Sequence, residues 1–317
     1  MVQSNPNQPL CRPKDSWYTR LGKNIRQHPL LYVMALVLMT YFVLFCYWPM
    51  YGNIVAFKKY KPFLGMAKSE WVGWQNFSAF FTSYYFQRIM SNTLILSFLN
   101  LAIGFPIPIL FAILLNEIRS LRYKKLVQTA TYLPHFISTV IICAMITQFT
   151  NSTGFITAFV NWLTGHTGSL IGDPDCYRAI YVLSDVWAGF GWGSILYIAA
   201  MSGIDPTLYE AATIDGANKA KQIWHVTLPG IKETIIIMFI LACGKIMSVG
   251  WEKSFLLQSP LTYETSDIIS TFVYRKGFED NDYGYSAAVN MFNSLINLVL
   301  LLTANQLSRR FSDNSLW

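Results

Sequence analysis

Long apolar runs separated by shorter polar stretches follow His28, and their lengths predict the elements of the chain. A helix that crosses a bilayer needs about 20 apolar residues. Six runs approach that length, at about 30–50, 93–115, 131–149, 180–201, 234–249 and 287–304. The second carries Gly104, Pro106 and Pro108. Such breakers are tolerated inside a helical bundle because neighbouring groups satisfy the freed backbone. The third, fourth and fifth runs contain polar interruptions. The pattern predicts an all-α polytopic membrane protein with six transmembrane helices, and an even number of crossings puts both termini on one side.

Composition agrees with that picture. Of the 317 residues, 53% are hydrophobic and 13% charged, where an average soluble domain carries about 25% charged residues. A mean hydropathy of +0.34 fits apolar spans joined by sizeable loops. An ordinary soluble domain is excluded. The polar start and the long run after it also differ from a cleaved signal segment, whose apolar stretch is short.

The formal net charge of +7 raises the question of a nucleic-acid partner. Its placement answers that question. With the N-terminus cytoplasmic, the inner segments hold Arg12, Lys14, Arg20, Lys23, Arg26, Arg119, Arg122, Lys124, Lys125, Lys219, Lys221, Lys232, Arg309 and Arg310. The outer loops hold fewer, including Lys58, Lys59, Arg88, Arg178, Lys253 and Arg275, and more acids. An excess of Lys and Arg on the inner side is the usual topology signal. Both termini are expected inside, and no nucleic acid is needed to explain the charge. The stretch 51–91 is rich in aromatic residues, which suits helices lying at the lipid headgroups.

No metal centre is indicated. Cys11, Cys46, Cys143, Cys176 and Cys243 form no CxxC pair, and His28, His135, His166 and His225 are scattered. A P-loop is missing as well. The pairs Gly22-Lys23 and Gly244-Lys245 are followed by Asn24 and Ile246, and backbone amides cannot cradle phosphates there as they do in GxxxxGK[ST].

The most informative stretch joins the fourth and fifth runs, at 202–231. Asp205 suits an N-cap and Pro206 a first helical turn. Gly216 suits a left-handed stop, and a second amphipathic helix is expected over about 217–225. A loop of this length built as helix–Gly–helix is more ordered than a linker requires. It is either a plain surface hairpin or a docking element.

Glu210-Ala211-Ala212, Gly216 and Leu228-Pro229 resemble the EAA loop of permease subunits in bacterial ABC importers. Weaker matches, at Trp71-Val-Gly-Trp-Gln-Asn-Phe, Asn92-Thr93 and Tyr132-Leu-Pro-His-Phe-Ile-Ser, extend the likeness over about 30–310. Together they look like carbohydrate-uptake permeases related to the maltose importer, particularly the oligosaccharide and polysaccharide group that includes alginate importers. Val226 stands where that pattern usually has Ile, a swap between apolar β-branched residues.

The resemblance implies a division of 1–29 as a cytoplasmic segment, 30–310 as the transmembrane domain with its coupling loop at about 202–232, and 311–317 as a tail. It implies a bacterial inner-membrane location, with no cofactor on this chain and ATP and Mg bound by two partner ATP-hydrolysing subunits. It also implies a second homologous permease, an extracytoplasmic solute-binding protein and surrounding lipid. In such a loop Glu210 meets polar groups of the ATPase, Ala211 and Ala212 allow close approach, Gly216 sets the turn, and Leu228 and Pro229 seat the hairpin on the fifth span. Simple dipole stabilisation is the plainer reading of Glu210.

Polar groups inside spans are costly and usually face the bundle interior or a watery path. Asn290, Asn293 and Asn297 share one helix face, as do Lys245, Ser248 and Glu252, while Trp187 and Trp192 offer indole faces on the fourth span. These groups either line a solute path or hold helices together, and plain packing is the simpler reading of the tryptophans. Lys245 lies about 16 Å into the membrane at about 1.5 Å per residue. It needs Asp185, Glu252 or an anionic cargo as partner. If the partner is the cargo, the expectation is an acidic, uronate-type oligosaccharide, as in the alginate importers that the chain resembles. A stand-alone secondary transporter is the alternative, but it leaves the EAA pattern unexplained and would call for inverted repeats. An intramembrane enzyme lacks a nucleophile–base pair.

Overall fold

The structure is a computed structural model that describes residues 24–165 and 167–311. The expectations for Cys11, Arg12, Lys14, Arg20, Lys23 and His166, and for the tail beyond residue 311, lie outside the described residues. The chain divides into two compact units between Ile54 and Val55. The sequence boundary at 29/30 marks where the first apolar run begins, and the structural division falls near its end.

The first apolar run forms α1 (Pro29–Phe57). None of its residues from Pro29 to Phe42 is buried, and apolar side chains cover it on all sides. A single helix greasy all round suits a lipid solvent.

The second unit contains the other main helices among the described residues. They are α2 (Gln75–Phe81), α3 (Phe86–Asn116), α4 (Leu121–Phe136), α5 (Thr139–Thr150), α6 (Phe155–Thr164), α7 (Pro174–Ser202), α8 (Pro206–Ile214), α9 (Lys219–Gly230), α10 (Lys232–Cys243), α11 (Trp251–Leu257), α12 (Ile269–Tyr274) and α13 (Tyr283–Phe311). Among the described residues four helices, α1, α3, α7 and α13, are long and apolar enough to cross a membrane. The pairs α4–α5 and α9–α10 add two crossings if each bent pair is one span.

The third apolar run is therefore not the straight helix that its sequence suggests: α4 and α5 meet at 99°. Pro134 tightens the last turn of α4, Ile137 is extended, and Ser138 caps α5 by accepting the Ile141 amide at 3.4 Å. The fifth run also stops earlier than expected, at Cys243 rather than near 249. Tight turns follow, with the Lys245 and Ser248 amides donating to Ala242 and Lys245 carbonyls. From α13, Asn297 accepts the Met247 amide and donates to the Ser248 hydroxyl, each at 2.9 Å. These bonds satisfy backbone that lipid could not.

The aromatic stretch before α3 is more folded than an interfacial helix alone. Lys58–Lys59 pair antiparallel with Glu70–Trp71, and α2 buries Phe77 and Phe80. Beside it lies a charged knot. Asp267, fully buried, accepts Arg88 at 2.9 Å and Arg275 at 2.7 Å, while Arg178 donates to Asn92 at 2.9 Å. Asn92 donates to the Glu264 and Asp267 carbonyls, and Thr93 accepts the Ile269 amide at 3.0 Å. The Asn92-Thr93 pair thus ties α3 to the segment around α12. A buried carboxylate is tolerable when its charge and lone pairs are met in this way.

Candidate functional site

A cavity of about 550 Å³ opens between α3, α7 and the segment 244–253. That volume lies in the range of small-ligand sites, about 300–1,000 Å³. The helix breakers of the second run explain its shape. The backbone of α3 widens into a π-type turn at Asn100–Gly104 before Pro106 restarts it, and Asn100, Gly104 and Pro108 all line the cavity. Such turns recur at functional sites. From α7 come Tyr181, Asp185 and Gly189; from the broken segment come Lys245, Ser248, Glu252 and Lys253.

The polar groups are unevenly matched. Lys253 donates to the Tyr181 carbonyl at 2.9 Å and to Asp185 at 3.2 Å, with its ammonium 4.6 Å from the centre of the Tyr181 ring. Its side chain is 9% exposed, whereas that of Asp185 is 49% exposed. Lys245 and Glu252 face the cavity and are exposed. Ser97 Oγ and Asn100 Oδ1 are buried without a protein partner, although both residues line the cavity. Two ammonium groups, two carboxylates and two orphaned oxygens therefore surround one space. Such a lining suits a ligand with hydroxyls and a negative charge.

Three of the residues expected on the solute path, Lys245, Ser248 and Glu252, are brought together here. The Asn stripe is placed differently. Asn297 holds the broken segment from behind, the Asn293 Oδ1 is buried without a partner, and Asn290 is exposed; none of the three lines the cavity. Trp187 and Trp192 are 42% and 44% exposed and lie outside the lining as well. Trp192 stacks on His135 with ring centres 4.5 Å apart.

Two expectations need correction. Asp185 was a candidate partner for Lys245 but pairs with Lys253 instead, and Lys245 has no ion pair among the described residues. Lys253 was counted among the outer-loop charges and is buried in the cavity wall. The reason is the break after Cys243, which folds the following segment back against α7. Gly244 and Gly250 bracket that break and were its visible signal. A Cβ at Gly244 would come within 2.7 Å of Leu301 on α13.

The hairpin at the other end of α7 follows its local rules. Asp205 caps α8 by accepting the Thr207 amide at 3.0 Å, and that bond holds its carboxyl below the usual carboxylate range. Gly216 stops α8 with a φ of +75°. The second helix starts at Lys219, slightly later than expected, because Asn218 caps it by accepting the Lys221 amide at 2.9 Å. Tyr209 bonds Thr227 at 3.0 Å, and Gln222 donates to Thr213 at 3.0 Å, so α8 and α9 form one unit. Lys219 pairs with Glu117 after α3 at 3.1 Å. Glu210 and Ala211 are exposed, as is Pro229, and Ala212 and Leu228 are half-buried. Leu208, Ile214 and Trp224 expose apolar surface, Ile214 to 86%.

Residues 79–313, which take in both the cavity and the hairpin, match the family described as Binding-protein-dependent transport system inner membrane component. The chain belongs to that family. This permease is 40% identical over 288 residues to Protein LplB of Bacillus subtilis (strain 168), covering 90% of this chain and 91% of the other. It is also 40% identical over 299 residues to the polygalacturonan/rhamnogalacturonan transport system permease protein YteP of the same organism, covering 94% and 93%. Among solved structures, it is similar to a chain of a bacterial alginate ABC transporter in complex with an alginate pentasaccharide-bound periplasmic protein. That match has a TM-score of 0.86 and 40% identity, over 94% of this chain and 100% of the other. The permease is a multi-pass inner-membrane subunit of an ABC importer: it transports and is not an enzyme.

Proposed function

We propose that this permease carries an acidic oligosaccharide of the uronate type through the cavity between α3, α7 and residues 244–253. The observation that carries the reading is the lining itself. Lys245 and Lys253 supply positive charge, and Ser97 and Asn100 offer oxygens that still lack donors. A uronate brings a carboxylate for the first pair and hydroxyl protons for the second. The polygalacturonan and alginate systems named among its relatives handle polymers of this chemical class.

In the same reading α8 and α9 form a cytoplasmic coupling hairpin. It docks Glu210, Ala211, Ala212 and the exposed Ile214 on one of two ATP-hydrolysing subunits, which bind the ATP and Mg. Gly216 fixes its turn, and Leu228 and Pro229 seat it on α10. A second, homologous permease completes the path, and a solute-binding protein delivers cargo from outside. The chain crosses the membrane six times, with both ends in the cytoplasm.

Uptake into proteoliposomes that hold the full importer tests the cargo assignment. Lys245→Met is expected to reduce uptake of mannuronate and galacturonate trisaccharides about tenfold relative to their carboxyl-reduced, neutral counterparts, the equivalent of about 1.4 kcal/mol in a charged contact. Equal losses for charged and neutral cargo refute the assignment.

A further inference from the structure

The Lys253–Asp185 pair is lopsided in a way that a purely structural salt bridge has no need to be. The ammonium is buried and fixed twice, by the Tyr181 carbonyl and the Tyr181 ring face. The carboxylate is half exposed, faces the cavity, and reaches the ammonium at 3.2 Å. That is longer than the 2.7–2.9 Å typical of charge-assisted bonds. Asp185 can turn into the cavity and recover hydration there. Lys253 cannot leave, and a buried charge that loses its partner is strongly disfavoured.

We infer that Asp185 is an exchangeable counter-ion: the carboxylate of the cargo replaces it on Lys253 during passage, and Asp185 returns to expel the cargo. This inference rests on the acidic-cargo reading above and adds the device that sets charge specificity. A neutral sugar cannot substitute for Asp185, so it finds Lys253 already occupied. An anion finds a site that is attractive but contested. Conduction requires such sites, strong enough to admit the solute and weak enough to release it. Lys245, exposed on the same wall and without an ion pair, makes the first contact, and Glu252 beside Lys253 adds a second carboxylate that opposes long residence.

The test uses the complete importer, with binding protein, in proteoliposomes, and follows uptake of mannuronate and galacturonate trisaccharides and their carboxyl-reduced forms. Asp185→Asn removes the competitor. It is expected to lower the KM for the acidic cargo and to slow its maximal uptake, each about tenfold, because release now lacks the returning carboxylate. Lys253→Gln is expected to cut the acid-to-neutral uptake ratio about tenfold. The double variant D185N/K253Q, which buries no unpaired charge, separates function from misfolding. It should be recovered in wild-type yield and yet show the low ratio of Lys253→Gln. The exchange is overturned if Asp185→Asn leaves the KM for acidic cargo unchanged, or if the double variant keeps the wild-type ratio. A wild-type importer that moves neither acidic trisaccharide overturns the acidic-cargo reading and the exchange with it. Uptake of acidic cargo by the wild type with no effect in Asp185→Asn overturns the exchange alone.

Discussion

At the scale of single residues, the closest approaches between helices depend on glycine. A Cβ at Gly191 in α7 would stand 2.2 Å from the Thr131 carbonyl oxygen of α4. Small residues let membrane helices come this close, where packing replaces the hydrophobic effect as the force between them. Gly191→Ala must separate two backbones, and overpacking of this kind costs about 1–3 kcal/mol. Gly189, two residues away, has nothing within 4 Å of a Cβ. Thermal unfolding of the detergent-purified importer should therefore show a clearly lowered midpoint for Gly191→Ala and little change for Gly189→Ala. Equal midpoints would mean that the α4–α7 crossing yields easily. The buried Asp267 follows a similar logic of obligation, since its removal would strand Arg88 and Arg275 together.

Among the elements, the hairpin is the part most fully specified by local chemistry. Gly216 sits at φ +75° with open space around it, so a side chain there meets strain in the backbone alone. The left-handed conformation costs an L residue about 1–2 kcal/mol. Gly216→Val is expected to speed amide exchange in α8 and α9 about tenfold, on the scale where 1.4 kcal/mol is a factor of ten, while exchange in α7 stays as it was. Unchanged exchange in the hairpin would show that its partners, not its turn, hold it. Asp205, Pro206 and Gly216 could be read from the sequence because caps and stops depend on neighbours in the chain. The joint at 137–138 and the break after Cys243 could not be read to the same degree. Pro134, Ser138 and Gly244 mark where the helices stop, but the course of the chain beyond each stop depends on contacts far along the sequence, such as Asn297 against Met247. The placement of Lys253 inherits that difficulty: a lysine counted into a loop becomes a cavity wall once the preceding helix ends early. Lys245, Ser248 and Glu252 were found together because a shared helical face and a shared turn both keep them close.

On the scale of the whole molecule, the charge pattern becomes simpler once partners are known. Arg88 and Arg275 both belong to Asp267, and Lys276 pairs with Asp280 at 2.6 Å. These basic residues weighed against an inner positive excess in the sequence, and two carboxylates offset part of their charge locally. The proposed topology can be tested directly: a cysteine placed at Tyr84, 90% exposed before α3, should react with an impermeant thiol reagent from outside intact cells, and one placed at Ile214 only after the inner face is opened. Labelling of both from the same side would refute six crossings with this orientation. Asn297 carries a further consequence, for biosynthesis. It grips Met247, 50 positions earlier, at the point where α10 has already ended. A ribosome must emit those intervening residues before the broken segment after α10 has its clamp. Until the final hydrophobic segment partitions into the bilayer, the nascent chain holds an unfinished wall, and a nonsense mutation just upstream of that asparagine should yield a polypeptide that quality-control proteases remove.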